Sequence, residues 1–340
     1  MNQREHVSLA PYTTLGVGGE VRFFIEAHNE EDITEAITLA QKHNLPLFIL
    51  GEGSNVLVPD TGIEGVVMKM MLRDITVEKN DEAMTIIAGA GARWDDVVDT
   101  ASKNGIFGIE NLAGIPGSLG GAVVQNIGAY GAELSTVFLY ADIVDTTSGL
   151  TKRISHAEAA FAYRTSFFKT HPEIVIVRVA LRLTKSARPN TAYVDVARAQ
   201  AEGTPLSTPA EIAHAIRAIR AKKFPNASEE GTAGSFFKNP VISHEHASSL
   251  GARFPGLPTF PQKDGTVKIP LAWILDHVLS LKGYAQGFVR LYEKQPLVIV
   301  AQKGATAQDI DALAHDVAER VLHATDIKIE REVETFGVRA

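Results

Sequence analysis

The chain has 340 residues, of which 45% are hydrophobic and 21% charged, with a formal net charge of −7 and no cysteine. Its length suits two or three domains with a sizeable core, and its acidic balance argues against a nucleic-acid binder held by a general basic field. The missing cysteine excludes disulfides, thiolate metal sites and thiol nucleophiles.

The first ten residues lack the apolar centre of a secretory signal. No apolar run reaches the roughly 18 residues a membrane span needs, so a cytoplasmic protein with no membrane contact is expected. Glu30, Glu31, Asp32 and Glu35 open a segment whose Ile33, Ala36, Ile37 and Ala40 recur at helical spacing. Lys42 and His43 close it, as the helix dipole favours. A strand over 45–50 follows, then Gly51-Glu52-Gly53-Ser54-Asn55, then a strand over 66–70, so the first unit reads βαβ-like. The second unit begins near Arg73, with a strand over 85–90 and a helix over 94–104 stopped by Gly105. Glycines then crowd positions 108 to 131. Strands over 138–144 and 174–183 follow, with a turn at 147–149 between them. Thr208, Pro209 and Glu211 are an N-cap, a first-turn proline and a capping-box acid, predicting a helix to about 222. The third unit holds Gly231 to Pro240, a segment around 271–279 and a strand over 297–301. Thr306 and Asp309 cap a helix whose Ile310, Leu313, Ala314, Val317 and Val321 share one face. A last strand is expected over 327–333.

Gly51 to Asn55 sits directly after a strand, and its glycines let backbone N–H groups form an anion nest, with Ser54 and Asn55 as side-chain donors. The segment starts like a dinucleotide fingerprint, but Val56 replaces the third glycine and no clear helix follows, which argues against a Rossmann site. An ordinary tight turn competes evenly with a phosphate site here. The cluster from Gly114 to Gly131 is harder to explain by packing alone, because each glycine costs roughly 0.5–1 kcal/mol relative to alanine in regular structure. A large bound ligand with a pyrophosphate accounts for more of it.

Gly231-Thr232-Ala233-Gly234-Ser235-Phe236-Phe237-Lys238-Asn239-Pro240 puts a hydroxyl, an ammonium and an amide on one glycine-bearing loop, pinned by two aromatics. On residue type alone Ser235 is a turn hydroxyl and Arg164, beside Phe161 and Tyr163, a surface arginine. No Gly-x-Ser-x-Gly motif surrounds Ser235, so a hydrolase nucleophile is not indicated. Glu330 and Glu332 share one face of the expected final strand, most simply a solvated one. His244 and His246 lack a third ligand in register, so no metal site is expected.

In this order, Gly51 to Leu57, Glu110 to Gly117, Gln125 to Gly131, Tyr163-Arg164, Gly234 to Pro240 and Glu332-Val333 resemble the UDP-N-acetylenolpyruvoylglucosamine reductase (UDP-N-acetylmuramate dehydrogenase) family of flavoenzymes, across nearly the whole chain. The resemblance implies an α+β fold of three domains: a vanillyl-alcohol-oxidase-type FAD-binding pair of subdomains (1–72 plus 326–340, and 73–223) and a substrate-binding domain (224–325). It implies noncovalent FAD held by Gly51, Gly53, Ser54, Asn55, Gly117, Ser118, Gly121, Asn126, Gly128 and Tyr130. It further implies Ser235 as general acid and Arg164 and Glu332 as groups polarising the substrate; Lys238, close to Ser235 in sequence, would ease the serine alkoxide. Tyr193, in 191–195, matches the tyrosine loop of the family's longer type. Lys223, Asn239 and Gln295 match substrate contacts.

The implied reaction is reduction of UDP-N-acetylglucosamine enolpyruvate to UDP-N-acetylmuramate with NADPH, for peptidoglycan precursor synthesis, by a monomer with no obligate protein partner. Burial would raise the pKa of Glu332 and keep it protonated beside the substrate carboxylate. One departure stands out: Glu334 occupies a position where the family usually has arginine. Gly120-Gly121-Ala122 follows a more generic flavin-domain pattern, which leaves the flavin fit intact. The competing class is a flavin oxidase or dehydrogenase of the same fold acting on a small alcohol or hydroxy acid. It often carries a histidine for covalent flavin attachment, and none lies between His43 and His156. A nucleotide-binding module without catalysis is the third reading.

Overall fold

The structure is a computed structural model describing residues 3–79, 83–185, 190–226 and 229–338. Strands and helices mix as the α+β expectation requires. Glu20–Ala27, Ile63–Met70 and Leu47–Leu50 run parallel, with Arg4–Ser8 added antiparallel at one edge. The crossover helix Glu30–His43 buries Ile33, Ala36, Ile37, Leu39 and Ala40 on this sheet. Its start is fixed by a capping box of Asn29 and Asp32, and its end by Asn44 in the left-handed region at φ 52°. Caps of this kind contribute about 1 kcal/mol each.

The second sheet is wholly antiparallel, in the order Thr151–Ser155, Phe138–Asp145, Ile174–Thr184, Ala83–Gly89, Ile75–Lys79. Helix Trp94–Lys103 packs on it and helix Pro209–Lys223 packs on that helix, and Trp94 is wholly buried with its Nε1 donating to the Leu112 carbonyl at 2.8 Å. The Thr208–Glu211 capping box forms as expected. Arg217 ties the two helices together through a forked contact with Asp95, Nε to Oδ2 at 3.0 Å and Nη2 to Oδ1 at 2.9 Å. The glycine-rich stretch also contains a short helix, Leu119–Val124, capped by Ser118; its glycines hid that helix from propensity reasoning.

The third sheet pairs Gly231–Ser235, Val298–Ala301, Val289–Leu291 and Ala285–Gln286. Helix Ala307–Thr325 packs its expected apolar face into a core with Phe236 and Phe237. The first half of the serine segment is therefore a strand rather than a loop, irregular between Thr232 and Ser235.

The strand expected over 327–333 does not form: only Arg331 makes a bridge, to Phe237, and Glu334–Thr335 instead pairs with Val56–Leu57. Ile327, Ile329 and Val333 are buried in the third core, so the tail crosses from that core to the first glycine segment. This crossing places Glu332 at the junction of all three sheets' loops.

Candidate active site

A cavity of about 490 Å³ opens where these units meet. Its wall includes Gly51, Gly53, Ser54, Asn55, Gly117, Ser118, Gly121, Gly128, Tyr130, Arg164, Tyr193, Lys223, Ser235, Asn239, Gln295 and Glu332. Residues more than 270 positions apart in sequence are thus brought to one surface, and of the expected site residues Asn126 and Lys238 are not on it. Asn126 is 2% exposed and works behind the wall. Its Nδ2 donates to the Ala162 carbonyl at 3.1 Å, and its Oδ1 accepts from Ser135 N at 3.1 Å.

The two glycine segments pack against each other. A Cβ on Gly51 would lie 2.4 Å from Ser118 Oγ, and one on Gly117 would lie 2.9 Å from Ser54 Oγ. Each segment therefore needs its glycine where the other presents a serine. Part of the glycine requirement is packing between segments, and the expected side-chain donors are largely spent within the protein. Ser54 Oγ donates to the Pro116 carbonyl at 3.1 Å, and Asn55 Nδ2 to the Glu332 carbonyl at 3.0 Å. Asn55 thus positions the catalytic candidate Glu332 from the opposite side of the cavity. Beneath the turn, Lys69 Nζ donates to the Gly51 carbonyl at 3.0 Å, and burial pulls its ammonium below the usual lysine range.

Ser235 ends its strand after Gly234, whose φ of 71° and open surroundings show a glycine used for its backbone alone. Ser235 Oγ makes no hydrogen bond to the described residues, which leaves it free for a ligand. Phe236 and Phe237 are each 1% exposed and fix the segment from below. Glu332 N donates to the Phe236 carbonyl at 2.8 Å, and Lys238 N to the Glu330 carbonyl at 2.9 Å. The tail therefore runs beside the serine segment, with Glu332 bonded to the residue after Ser235 and both on the cavity wall. Lys238 itself leaves the cavity: its Nζ pairs with Glu330 at 2.8 Å. Glu330 is solvated as expected, whereas Glu332 is turned inward and only 17% exposed at its side chain.

Arg164 sits at φ 57°, with Nη2 donating to the Gly128 carbonyl at 3.0 Å and Nε 2.7 Å from Glu332 Oε1. Among the described residues, Nε has no aligned hydrogen-bond acceptor. Burial pushes the Glu332 carboxyl up, against the opposing pull of Arg164, Lys169 and Lys238. Glu334 also lines the cavity, and its carboxylate lies 2.7 Å from Lys169 Nζ.

On the far side, Lys223 Nζ pairs with Asp195 and the Tyr193 ring meets Tyr130 edge-on, with centroids 5.2 Å apart. Asn239 Oδ1 accepts from Leu271 N at 3.0 Å. Among the described residues, Gln295 Oε1 is buried without a hydrogen-bond partner, an unsatisfied acceptor on the cavity wall that a donor on a ligand would relieve. Sequence reasoning missed Arg220, which lines the cavity, donates from Nε to the Gly114 carbonyl at 3.0 Å and is half-buried. Its position three residues before Lys223 on one helix face was the available signal.

These residues fit a flavin nucleotide. Ile49, Trp94, Ile127, Ile174 and Ile176 give one apolar flank, the glycine segments another, and the volume lies within the usual range for ligand pockets. The N–H groups of Leu119 and Gly120 are spent on the Ala92 and Ala90 carbonyls at 2.8 Å each, so the start of that short helix is not an open anion site. No histidine among the described residues lines the cavity, which removes the usual attachment residue of the competing oxidase class.

A family model described as an FAD binding domain matches residues 21–155, and one described as the C-terminal domain of UDP-N-acetylenolpyruvoylglucosamine reductase matches residues 226–336. The UDP-N-acetylenolpyruvoylglucosamine reductase of Salmonella typhi is 38% identical over 332 residues, covering 97% of this chain and 96% of its own. That of Pseudomonas aeruginosa is 38% identical over 333 residues and is covered to 97%, as is this chain. Among solved structures, UDP-N-acetylenolpyruvylglucosamine reductase from Thermus caldophilus aligns with a TM-score of 0.69 at 26% identity, covering 98% of this chain and 99% of that one. With fold, cavity and sequence in agreement over nearly its whole length, the chain belongs to the UDP-N-acetylenolpyruvoylglucosamine reductase family.

Proposed function

We propose that this protein reduces the enolpyruvyl ether of UDP-N-acetylglucosamine enolpyruvate to the lactyl ether of UDP-N-acetylmuramate, a step of peptidoglycan precursor synthesis, using NADPH and noncovalent FAD. The observation that carries the reading is the convergence of Ser235, Arg164 and Glu332 on the cavity that the two glycine segments also line. Gly51 to Asn55 and Gly117 to Gly121 would hold FAD, which when bound would supply to the substrate double bond a hydride drawn from NADPH.

The protein's own groups do the rest. As hydride adds to the terminal methylene carbon, negative charge builds on the adjacent carbon and its carboxylate. The Arg164 guanidinium lowers the energy of that charge, a preorganised contribution of about 3–4 kcal/mol. Ser235 Oγ–H donates the proton that the adjacent carbon needs, help worth roughly 10²–10⁴-fold. Burial pushes the Glu332 carboxyl up, and in its protonated form it does not repel the carboxylate and adds an O–H donor. Tyr193, Lys223, Asn239 and Gln295 hold the sugar nucleotide.

Three units act together in this reading: 1–72 plus 326–340, 73–223 and 224–325, with positions 1–2 and 339–340 outside the described residues. The separate sheets support the division except in the tail, where Ile327, Ile329 and Val333 are buried in the third core. Among the described residues, no helix is long and apolar enough to cross a membrane. We take the protein to work as a cytoplasmic monomer without an obligate protein partner, since one chain supplies every group named above.

An anaerobic visible spectrum tests the function. NADPH should bleach the flavin, and the enolpyruvyl sugar nucleotide should restore its colour. Recovery by oxygen with an alcohol or hydroxy acid as reductant would favour the oxidase class instead, and a colourless protein that takes up no FAD would sink both.

A further inference from the structure

Arg164 is a non-glycine residue in the left-handed region, at φ 57°, a conformation that persists only where its surroundings over-determine it. Two contacts bear on its backbone and side chain from opposite ends. Its Nη2 donates to the Gly128 carbonyl at 3.0 Å. Its own carbonyl accepts from Lys169 Nζ at 3.4 Å. Lys169 is 21% exposed at its side chain and is not on the cavity wall. It rises from the short helix Phe167–Thr170, which Ser166 fastens to the Val124 carbonyl through Oγ at 2.7 Å.

The ammonium is held from the other side by Glu334, 2.7 Å away, and Gln125 Nε2 lies 3.4 Å from the same carboxylate oxygen. Glu334 is in turn anchored by its N–H to the Asn55 carbonyl at 3.1 Å and by pairing with Val56. A chain of contacts therefore runs from the first glycine segment through Glu334 and Lys169 to the backbone of Arg164.

We propose that Lys169, anchored by Glu334, is a positioning residue for the reduction: it fixes the left-handed backbone of Arg164 and so aims the guanidinium at Glu332 and the substrate carboxylate. The inference rests on the functional reading above. Its chemistry is electrostatic and geometric, with no step of its own. Because Lys169 touches neither Ser235 nor the glycine segments, its loss should misplace Arg164 without disturbing hydride transfer from NADPH.

The two half-reactions of the FAD-loaded protein separate these effects. In Lys169→Met, reoxidation by the enolpyruvyl sugar nucleotide should slow roughly 10- to 100-fold, the cost of misplacing a group by about an ångström, while reduction by NADPH keeps its rate. Lys169→Arg, which retains a donor for the carbonyl and a charge for Glu334, should recover most of the loss. Glu334→Gln removes only the anchor at a half-exposed position; it should slow the same half-reaction by a smaller factor, and keeps the test open where Lys169→Met does not fold. Equal loss in both half-reactions, or an unchanged reoxidation rate in Lys169→Met and Glu334→Gln, would overturn the positioning role while leaving the function standing. Failure of the unaltered protein to be reoxidised by this substrate would overturn the function and the positioning role together.

Discussion

Arg164 and Glu332, separated by most of two sheets in sequence, meet across the cavity with Nε 2.7 Å from Oε1. A cation and an acid this close in a half-buried site form either a salt bridge or, once the acid keeps its proton, a free guanidinium beside a neutral donor. Burial favours the second arrangement. A substrate carboxylate arriving at the site then completes the charge pair. Arg164→Lys keeps the charge but loses the planar fork, and reoxidation by substrate should slow about 10²–10³-fold, measured by stopped-flow absorbance. A lysine variant at wild-type rate would show that a point charge suffices.

The raised Glu332 carboxyl gives a pH dependence of definite sign. Glu332 keeps its proton to higher pH than an exposed glutamate, so carboxylate binding is strongest below its folded-state pKa and weakens as pH rises through it. Its contribution to stability has the same sign: fully present below the unfolded-state pKa, lost as pH rises through the folded one. Titrating holoenzyme with UDP-N-acetylmuramate at successive pH values should show affinity falling toward alkaline pH. Glu332→Gln should remove that fall; an identical fall in the variant would assign it to another group.

The glycine–serine packing between the two cofactor segments makes a prediction about compensation. Gly51→Ala places a Cβ against Ser118 Oγ, and overpacking of this kind costs about 1–3 kcal/mol, read as a lower denaturation midpoint and weaker FAD retention. Removing the hydroxyl in Gly51→Ala/Ser118→Ala leaves the added carbon 3.3 Å from the Ser118 Cβ position. The double variant should therefore regain much of the loss. No recovery would mean that Gly51 is required by the cofactor itself.

Much of this was legible in the sequence, and the gaps have physical causes. Helices with capping boxes at Thr208 and Thr306 form where expected because cap chemistry is local. The short helix after Ser118 was hidden by its glycines, and the tail over 327–333 is apolar at alternate positions without pairing as a strand. That alternation reflects burial against the third core, which period-2 reasoning cannot tell from a sheet. Resemblance named residues that, Asn126 and Lys238 apart, share one cavity, and geometry gives several of them other contacts: Asn126 to the scaffold, Asn55 and Ser54 to bonds within the protein, and Lys238 to Glu330. Which residues share a cavity depends on long-range packing, so Arg220 and the Lys169–Glu334 pair surfaced only in three dimensions.

The central claim is that Ser235, on the cavity wall with a hydroxyl that has no hydrogen-bond partner among the described residues, donates the proton that completes the reduction. Ser235→Ala examined one half-reaction at a time under anaerobic conditions is its most direct test. NADPH should bleach the flavin at nearly the wild-type rate, and recovery with the enolpyruvyl sugar nucleotide should slow by roughly 10²–10⁴-fold. Loss of both half-reactions together, or of neither, would contradict it.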